Sequence, residues 1–190
     1  MVQNLPAYVF DLVCEILVEF EDLLNLARVN SEIRGFVHDR LRVLRVDCCE
    51  NLTSLHLLTS FTALTSLREL RLFDCASLTD VRALASCTAL TLLDLNSCDS
   101  LTDVSALASC TALTSLNLYY CPRLTDVSAL ASCTALTSLN LRSCSSLTAR
   151  GVSALANSRA SCIKIDIERT LWARLWQHHE PIPQNVILEG

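Results

Sequence analysis

The chain has 190 residues, a net charge of −5 and 51% hydrophobic side chains, of which few are aromatic. That length suits one compact domain, or one repeat array with a small appendage, around a core built mainly from Leu, Val, Ala and Cys. Three glycines and four prolines exclude a loop-rich, collagenous or disordered chain, and the acidic balance excludes a general attraction to nucleic acid or an anionic membrane.

The first stretch, MVQNLPAYVFDLVCEILVEFEDLL, has no basic start and carries acids through its apolar part, so it does not read as a secretory signal. No apolar run approaches membrane-spanning length. A soluble, intracellular protein is expected, with the cytoplasm as its compartment and the nucleus as the alternative. Val9, Leu12, Val13, Ile16, Leu17 and Phe20 recur at helical spacing and predict an amphipathic helix beginning near Pro6. A second helical stretch, DLLNLARVNSEIRGFV, stops near Gly35. Residues 1–40 thus form a helical N-terminal segment suited to capping one end of a repeat array.

From residue 41 the chain repeats. The string LTDVSALASCTALTSLNL stands at Leu101–Leu118 and again, unchanged, at Leu124–Leu141; a third copy at Leu78–Leu95 departs only at Arg82, Leu92 and Asp94. The pattern L-x-x-L-x-L-x-x-C begins at Leu67, Leu90, Leu113 and Leu136, and extends to Leu41 and Cys162 at intervals of 26, 23, 23, 23 and 26 residues. Each L-x-L piece alternates inward and outward side chains as a strand, so Leu116 and Leu118 face a core while Ser115, Asn117 and Tyr119 face out. The segment TDVSALAS returns the chain as one or two helical turns, with Thr or Asp as N-cap. Val127, Leu130 and Ala131 then share the inward face at i, i+3 and i+4. One coil cannot bury its leucines alone, so about six coils stack their strands into a parallel sheet over residues 41–168.

Eleven cysteines mostly recur with the repeat, Cys87, Cys110 and Cys133 in one series, Cys75, Cys98, Cys121 and Cys144 in another. Such columns arise from duplication, and the odd total in a chain without a secretory signal points to reduced thiols. No CxxC is present, and Cys48–Cys49 occupies a repeat position, so zinc is not expected.

Stacked in register, the outward positions form columns. One reads Val43, Glu69, Leu92, Ser115, Ser138, Lys164; a second reads Arg45, Arg71, Asp94, Asn117, Asn140, Asp166; a third reads Asp47, Phe73, Asn96, Tyr119, Arg142, Glu168. This surface begins basic, passes through a neutral centre bearing aromatics, and ends mixed. Aromatic and Arg side chains are the usual anchors of protein interfaces, so it is the candidate protein-binding face. Beyond it, Leu171, Trp172, Leu175 and Trp176 at helical spacing predict a C-terminal helical cap, with an extended tail after Pro181 and Pro183 in residues 169–190. His178 and His179 are adjacent, point apart on a helix, and make a poor metal pair.

These repeats resemble the cysteine-containing subclass of leucine-rich repeats: LNLYYCPRLTDVSALASC matches with three fewer residues in the return segment, and CSSLTARGVSALANSRASCIKIDI restores the full length with its Gly at Gly151. The resemblance implies an α/β solenoid, a short horseshoe with parallel strands on the concave face and short helices on the convex face. The N-terminal segment resembles an F-box, through Leu5, Pro6, Ile16, Leu17, Asp22, Leu23, Leu24, Leu26 and Val29, with Ile33 where that motif carries a Trp. F-boxes preceding such repeats are substrate receptors of SCF ubiquitin ligases. The resemblance implies that residues 5–37 dock the ligase's linker protein, with Leu5, Pro6, Ile16, Leu17, Leu23, Leu24 and Val29 as contacts, while the concave face recruits a partner protein.

No catalytic centre or cofactor is expected. A phosphate-cradling glycine loop cannot be built from three scattered glycines, and no HExxH or GxSxG appears. A catalytic cysteine would be singular, not one of a ladder. Asp80, Asp103 and Asp126 form a further column that helix capping explains. Two roles follow for such a chain: an interaction module of the F-box receptor kind, or a structural scaffold subunit held in a large cytoskeletal or ribonucleoprotein assembly. The breaks between copies, Tyr119-Tyr120-Cys-Pro122-Arg123 against Arg142-Ser143-Cys-Ser145-Ser146, are where binding information can reside.

Overall fold

The computed structural model describes residues 42–47, 52–55, 65–156, 163–168, 171, 173 and 186–189. The F-box-like residues Leu5 to Val29, Cys48–Cys49, Trp172, Leu175, Trp176 and the histidine pair lie outside the described residues. Seven strands form one sheet in sequence order: β1 (Val43–Asp47), β2 (Glu69–Phe73), β3 (Leu92–Asp94), β4 (Ser115–Asn117), β5 (Ser138–Asn140), β6 (Ile163–Asp166) and β7 (Val186–Glu189). All neighbours are parallel, and Leu44, Leu70, Leu93, Leu116, Leu139, Ile165 and Leu188 stand side by side in the register.

The seventh strand goes beyond the six read from the repeat pattern. Its sequence, VILE, has no L-x-x-L-x-L frame, but it keeps the period, because Leu188 follows its partner Ile165 by 23 residues.

The parallel sheet is one wall of a solenoid, and the return segments are the other. Among the described residues three of these are 3₁₀ helices, Arg82–Ser86, Ser105–Ser109 and Ser128–Ser132, and a longer one is an α-helix, α1 (Ala149–Ala156). This changes which return residues face the core. A 3₁₀ helix has three residues per turn, so Val127, Leu130 and Cys133 are wholly buried while Ala131 is partly exposed. The cap also moves by one residue. Val81, Val104 and Val127 hold the N-cap positions, and the aspartate before each accepts the first helical N–H, at 2.7 Å for Asp80 and Asp103 and 2.8 Å for Asp126. Asp80 and Asp126 are held below the usual carboxylate range chiefly by that backbone hydrogen bond. The same aspartates bridge one another as a second, minimal parallel ladder from Ser54 through Asp80 and Asp103 to Asp126.

Between the walls lies a core of stacked leucines, valines and cysteines. In the coil after β3, Leu101, Val104, Leu107, Cys110, Leu113, Leu116 and Leu118 are each at most 1% exposed. The thiols do more than fill space. Cys98, Cys121 and Cys144 donate to the carbonyls of Leu72, Leu95 and Leu118 in the preceding coil, and Cys110 and Cys133 do the same to Leu84 and Leu107. On the outer surface Thr91, Thr114 and Thr137 donate to the carbonyls of Arg68, Thr91 and Thr114. Each coil therefore satisfies polar groups of its neighbour at fixed positions, which is why duplicated sequence stacks in register.

α1 approaches the coil below it very closely. A Cβ on Gly151 would lie 2.9 Å from the Val127 nitrogen and 3.1 Å from Asp126 Oδ1. Gly151→Ala is expected to destabilise the chain by about 1–3 kcal/mol in urea unfolding, despite the better helix propensity of alanine, because the clash is with backbone. Unchanged stability would mean that α1 can lift off without loss.

Candidate functional site

The strand pairing aligns the outward columns as the repeat frame predicts: Val43, Glu69, Leu92, Ser115, Ser138 and Lys164 in one row, Arg45, Arg71, Asp94, Asn117, Asn140 and Asp166 in the next. At the β1–β2 end two guanidiniums converge on one carboxylate. Arg71 Nε lies 2.6 Å and Arg45 Nη2 3.4 Å from Glu69 Oε1. The Arg71 hydrogen bond, aided by the charge of Arg45, holds Glu69 below the usual carboxylate range. The basic end is thus partly neutralised within the sheet itself.

The second row has a structural task over the middle strands. Asp94, Asn117 and Asn140 are half-buried, and the Oδ1 of each accepts the N–H two residues on, from Asn96, Tyr119 and Arg142 at 3.0–3.1 Å. Alternation alone correctly gives their direction but not this bond. Each Asx turn leads into a residue with left-handed backbone, Ser97, Tyr120 or Ser143, and Asp74 takes the same conformation in the coil of Arg71, all at φ between 53° and 62°. The N–H of that residue reaches the next coil, for Asp74, Ser97 and Tyr120 the carbonyls of Asn96, Tyr119 and Arg142. At Ser143 the acceptor is instead the Glu168 side chain, at 2.7 Å to Oε1, so Glu168 closes the turn ladder.

The third row and the residues just after it carry the large exposed side chains. Phe73 is 43% exposed, Tyr119 39% and Tyr120 46%. Arg142 is exposed, with Asp166 Oδ1 3.8 Å from its Nη1, and Arg123 is exposed in the turn after β4. The structure therefore places Phe73, Tyr119 and Arg142 along the edge where β2, β4 and β5 end, with Arg45 and Arg71 on β1 and β2. It adds Tyr120, whose ring centroid lies 6.4 Å from that of Tyr119. The signal for Tyr120 was in the repeat: an aromatic stands where the other coils have Asp74, Ser97 and Ser143.

The cysteine ladders offer no nucleophile in the three thiols whose ionisation is plainest. Burial pushes Cys98 and Cys110 up to about 12 and Cys133 up to about 11. Contact with the Cys144 sulfur, together with burial, pushes Cys121 up as well. These are thiols, not thiolates, at neutral pH. Among the described residues no three His, Cys, Asp or Glu side chains converge as a metal would require, and no helix is long and apolar enough to cross a membrane.

Comparison with known families finds leucine-rich repeats in this chain. A two-copy leucine-rich-repeat family matches residues 65–109, and a single leucine-rich-repeat family matches residues 132–156. Among solved structures the chain is similar to an internalin from Listeria monocytogenes, with 21% identity, 92% of this chain covered and a TM-score of 0.45. The chain spans 57% of that internalin's length. It is also similar to internalin C2 from the same organism, at 18% identity over 88% of this chain and 85% of the other, with a TM-score of 0.39. No curated protein matches the chain.

Proposed function

We propose that this leucine-rich-repeat solenoid is a non-enzymatic protein–protein interaction module of the cytoplasm, resembling an F-box substrate receptor. In this reading residues 5–37 dock the linker protein of an SCF ubiquitin ligase and the strand face recruits the partner protein. The observation that carries it is the division of labour on the sheet. Inward leucines, Asx oxygens and thiols are all engaged in holding coils together, while Phe73, Tyr119 and Arg142 are presented outward with no comparable structural task. Aromatic and arginine side chains so placed are the usual anchors of protein recognition.

Capture by tagged full-length chain tests the reading. The SCF linker protein is expected among the bound proteins, and Leu5→Asp with Pro6→Ala is expected to abolish its recovery. Tyr119→Ala is expected to weaken partner binding by roughly tenfold with thermal stability little changed, since Tyr119 is exposed and stands outside the buried core. Recovery of a stoichiometric particle without the linker protein overturns the receptor assignment in favour of a scaffold subunit. A fall in melting temperature with Tyr119→Ala would make that residue structural.

A further inference from the structure

The interaction-module reading leaves open which part of the sheet does the binding and what chemistry it takes. We infer that the docking site is the rim where strands β2 to β5 end, and that it takes a short extended segment of a partner protein. The segment has an apolar centre over Tyr119 and Tyr120 and an acidic end over Arg142 and Arg123. This inference rests on the interaction-module reading.

Tyr120 is the first argument. Its φ of 53° lies in the left-handed region, where the other coils place Asp74, Ser97 and Ser143. Short polar side chains tolerate that conformation by local hydrogen bonding, whereas a bulky ring is an outlier. Burial offsets only part of that strain, because Tyr120 is 46% exposed. A strained, solvent-facing aromatic in a coil otherwise built by repetition is a departure that serves something other than the fold.

The neighbours of Tyr120 give the second argument. Among the described residues the exposed large hydrophobic side chains are Val43, Phe73, Tyr119 and Tyr120, and all but Val43 lie on this rim. The rim is also polarised. Asp74 is exposed beside Phe73, and Asp99 is half-exposed one coil before Pro122, whereas Arg123 and Arg142 are exposed on the coils of β4 and β5. Arg142 has Asp166 only at 3.8 Å, and Arg123 makes no ion pair among the described residues. A carboxylate supplied from outside can therefore reach two guanidiniums that the fold does not saturate. At the opposite end, beside Asp74, the nearby Arg45 and Arg71 are already turned to Glu69, so the acid of the segment belongs at the Arg123–Arg142 end.

Dimensions set its length. Strands stand roughly 4.8 Å apart, so β2 to β5 spans roughly 14 Å, the reach of about 4 to 5 extended residues. One apolar side chain meets Phe73, the next pair the tyrosines, and the acid the arginines.

A phage-displayed library of random peptides, selected on the full chain, tests this. Enriched sequences are expected to place Asp or Glu within a few residues of an aliphatic, proline or aromatic residue. A fluorescein-labelled synthetic peptide of the enriched sequence is then titrated. Tyr120→Ser, which copies the turn of the neighbouring coils, is expected to weaken its binding by roughly tenfold or more while raising the melting temperature by about 2–4 °C. Arg142→Glu is expected to weaken it similarly, and added salt to lower the wild-type affinity. Enrichment without acids, no enrichment, or binding indifferent to both substitutions overturns the rim site. If both rim variants bind normally but Ser115→Glu in mid-sheet abolishes binding, the rim is wrong and the interaction-module reading stands. A folded chain that enriches no peptide and captures no protein loses both.

Discussion

Leu116→Ala is expected to destabilise the chain by about 3–5 kcal/mol in urea unfolding. Leu116 lies at the centre of β4, 1% exposed, with Leu93 and Leu139 beside it in the register. Truncation removes several buried carbons and leaves a cavity the surroundings cannot close. The flanking coils are pinned by backbone pairing on both sides and by the Cys121, Cys144 and Thr137 hydrogen bonds to fixed carbonyls. Because a solenoid is stabilised by nearest-neighbour interfaces, the cavity also weakens the coupling between its two halves. A shallower urea transition is expected alongside the lower midpoint. Ser115→Ala, one residue away and outward, is expected to change stability by less than about 0.5 kcal/mol. A loss below about 1 kcal/mol for Leu116→Ala would show a core looser than the burial implies.

Raising the pH is expected to cost nearly as much. Burial lifts the thiols of Cys98 and Cys110 to about 12 and of Cys133 to about 11, against an ordinary 9.0. A group whose folded pKa is raised contributes stability that is fully present below the unfolded pKa and lost as pH climbs to the folded one. The window therefore opens near pH 9.0 and closes near 11 to 12. Within it each thiol removes about 1.4 kcal/mol per pH unit, because the unfolded chain releases a proton that the folded chain retains. By about pH 10 the three together amount to a loss on the order of 4 kcal/mol relative to neutral pH. Urea titrations under reducing conditions across this range measure it directly. The triple substitution Cys98→Ala, Cys110→Ala, Cys133→Ala is expected to lower stability at neutral pH but to flatten the alkaline fall. A wild-type chain equally stable at neutral pH and pH 10 would contradict the buried placement of the ladders.

Much of the fold is legible in the sequence because the repeat does the alignment. Copies that match residue for residue at Leu101–Leu118 and Leu124–Leu141 must stack like on like, so the register of Leu116 with Leu139 and Asn117 with Asn140 follows from the duplication. Local geometry is harder. The five residues SALAS between Val104 and Cys110 are too few for a comfortable α-helix, and the tighter 3₁₀ turn brings the cysteine, not the second alanine, to the inside. The seventh strand hides because VILE lacks the leucine frame, although the interval from Ile165 to Leu188 marks it.

The candidate site is legible only by direction. Alternation turns Asp94, Asn117, Asn140 and Tyr119 outward alike, yet the first three hold their own turns while Tyr119 holds none. Whether an outward side chain is engaged depends on backbone two residues further on, and on left-handed turns that no periodicity encodes. Tyr120 shows the reverse case, since its meaning lies in differing from Asp74, Ser97 and Ser143 at the same place.

The cassette construction also makes the molecule a ruler. Because Cys Sγ, Thr Oγ1 and Asx contacts repeat with the coil, one more 23-residue unit between β4 and β5 would meet the same acceptors above and below as the units already there. Each unit gained or lost moves everything beyond it by one strand spacing, roughly 4.8 Å, without redesigning a single contact. Unequal crossing-over between identical cassettes could thus step the separation between the two ends of the chain in fixed quanta.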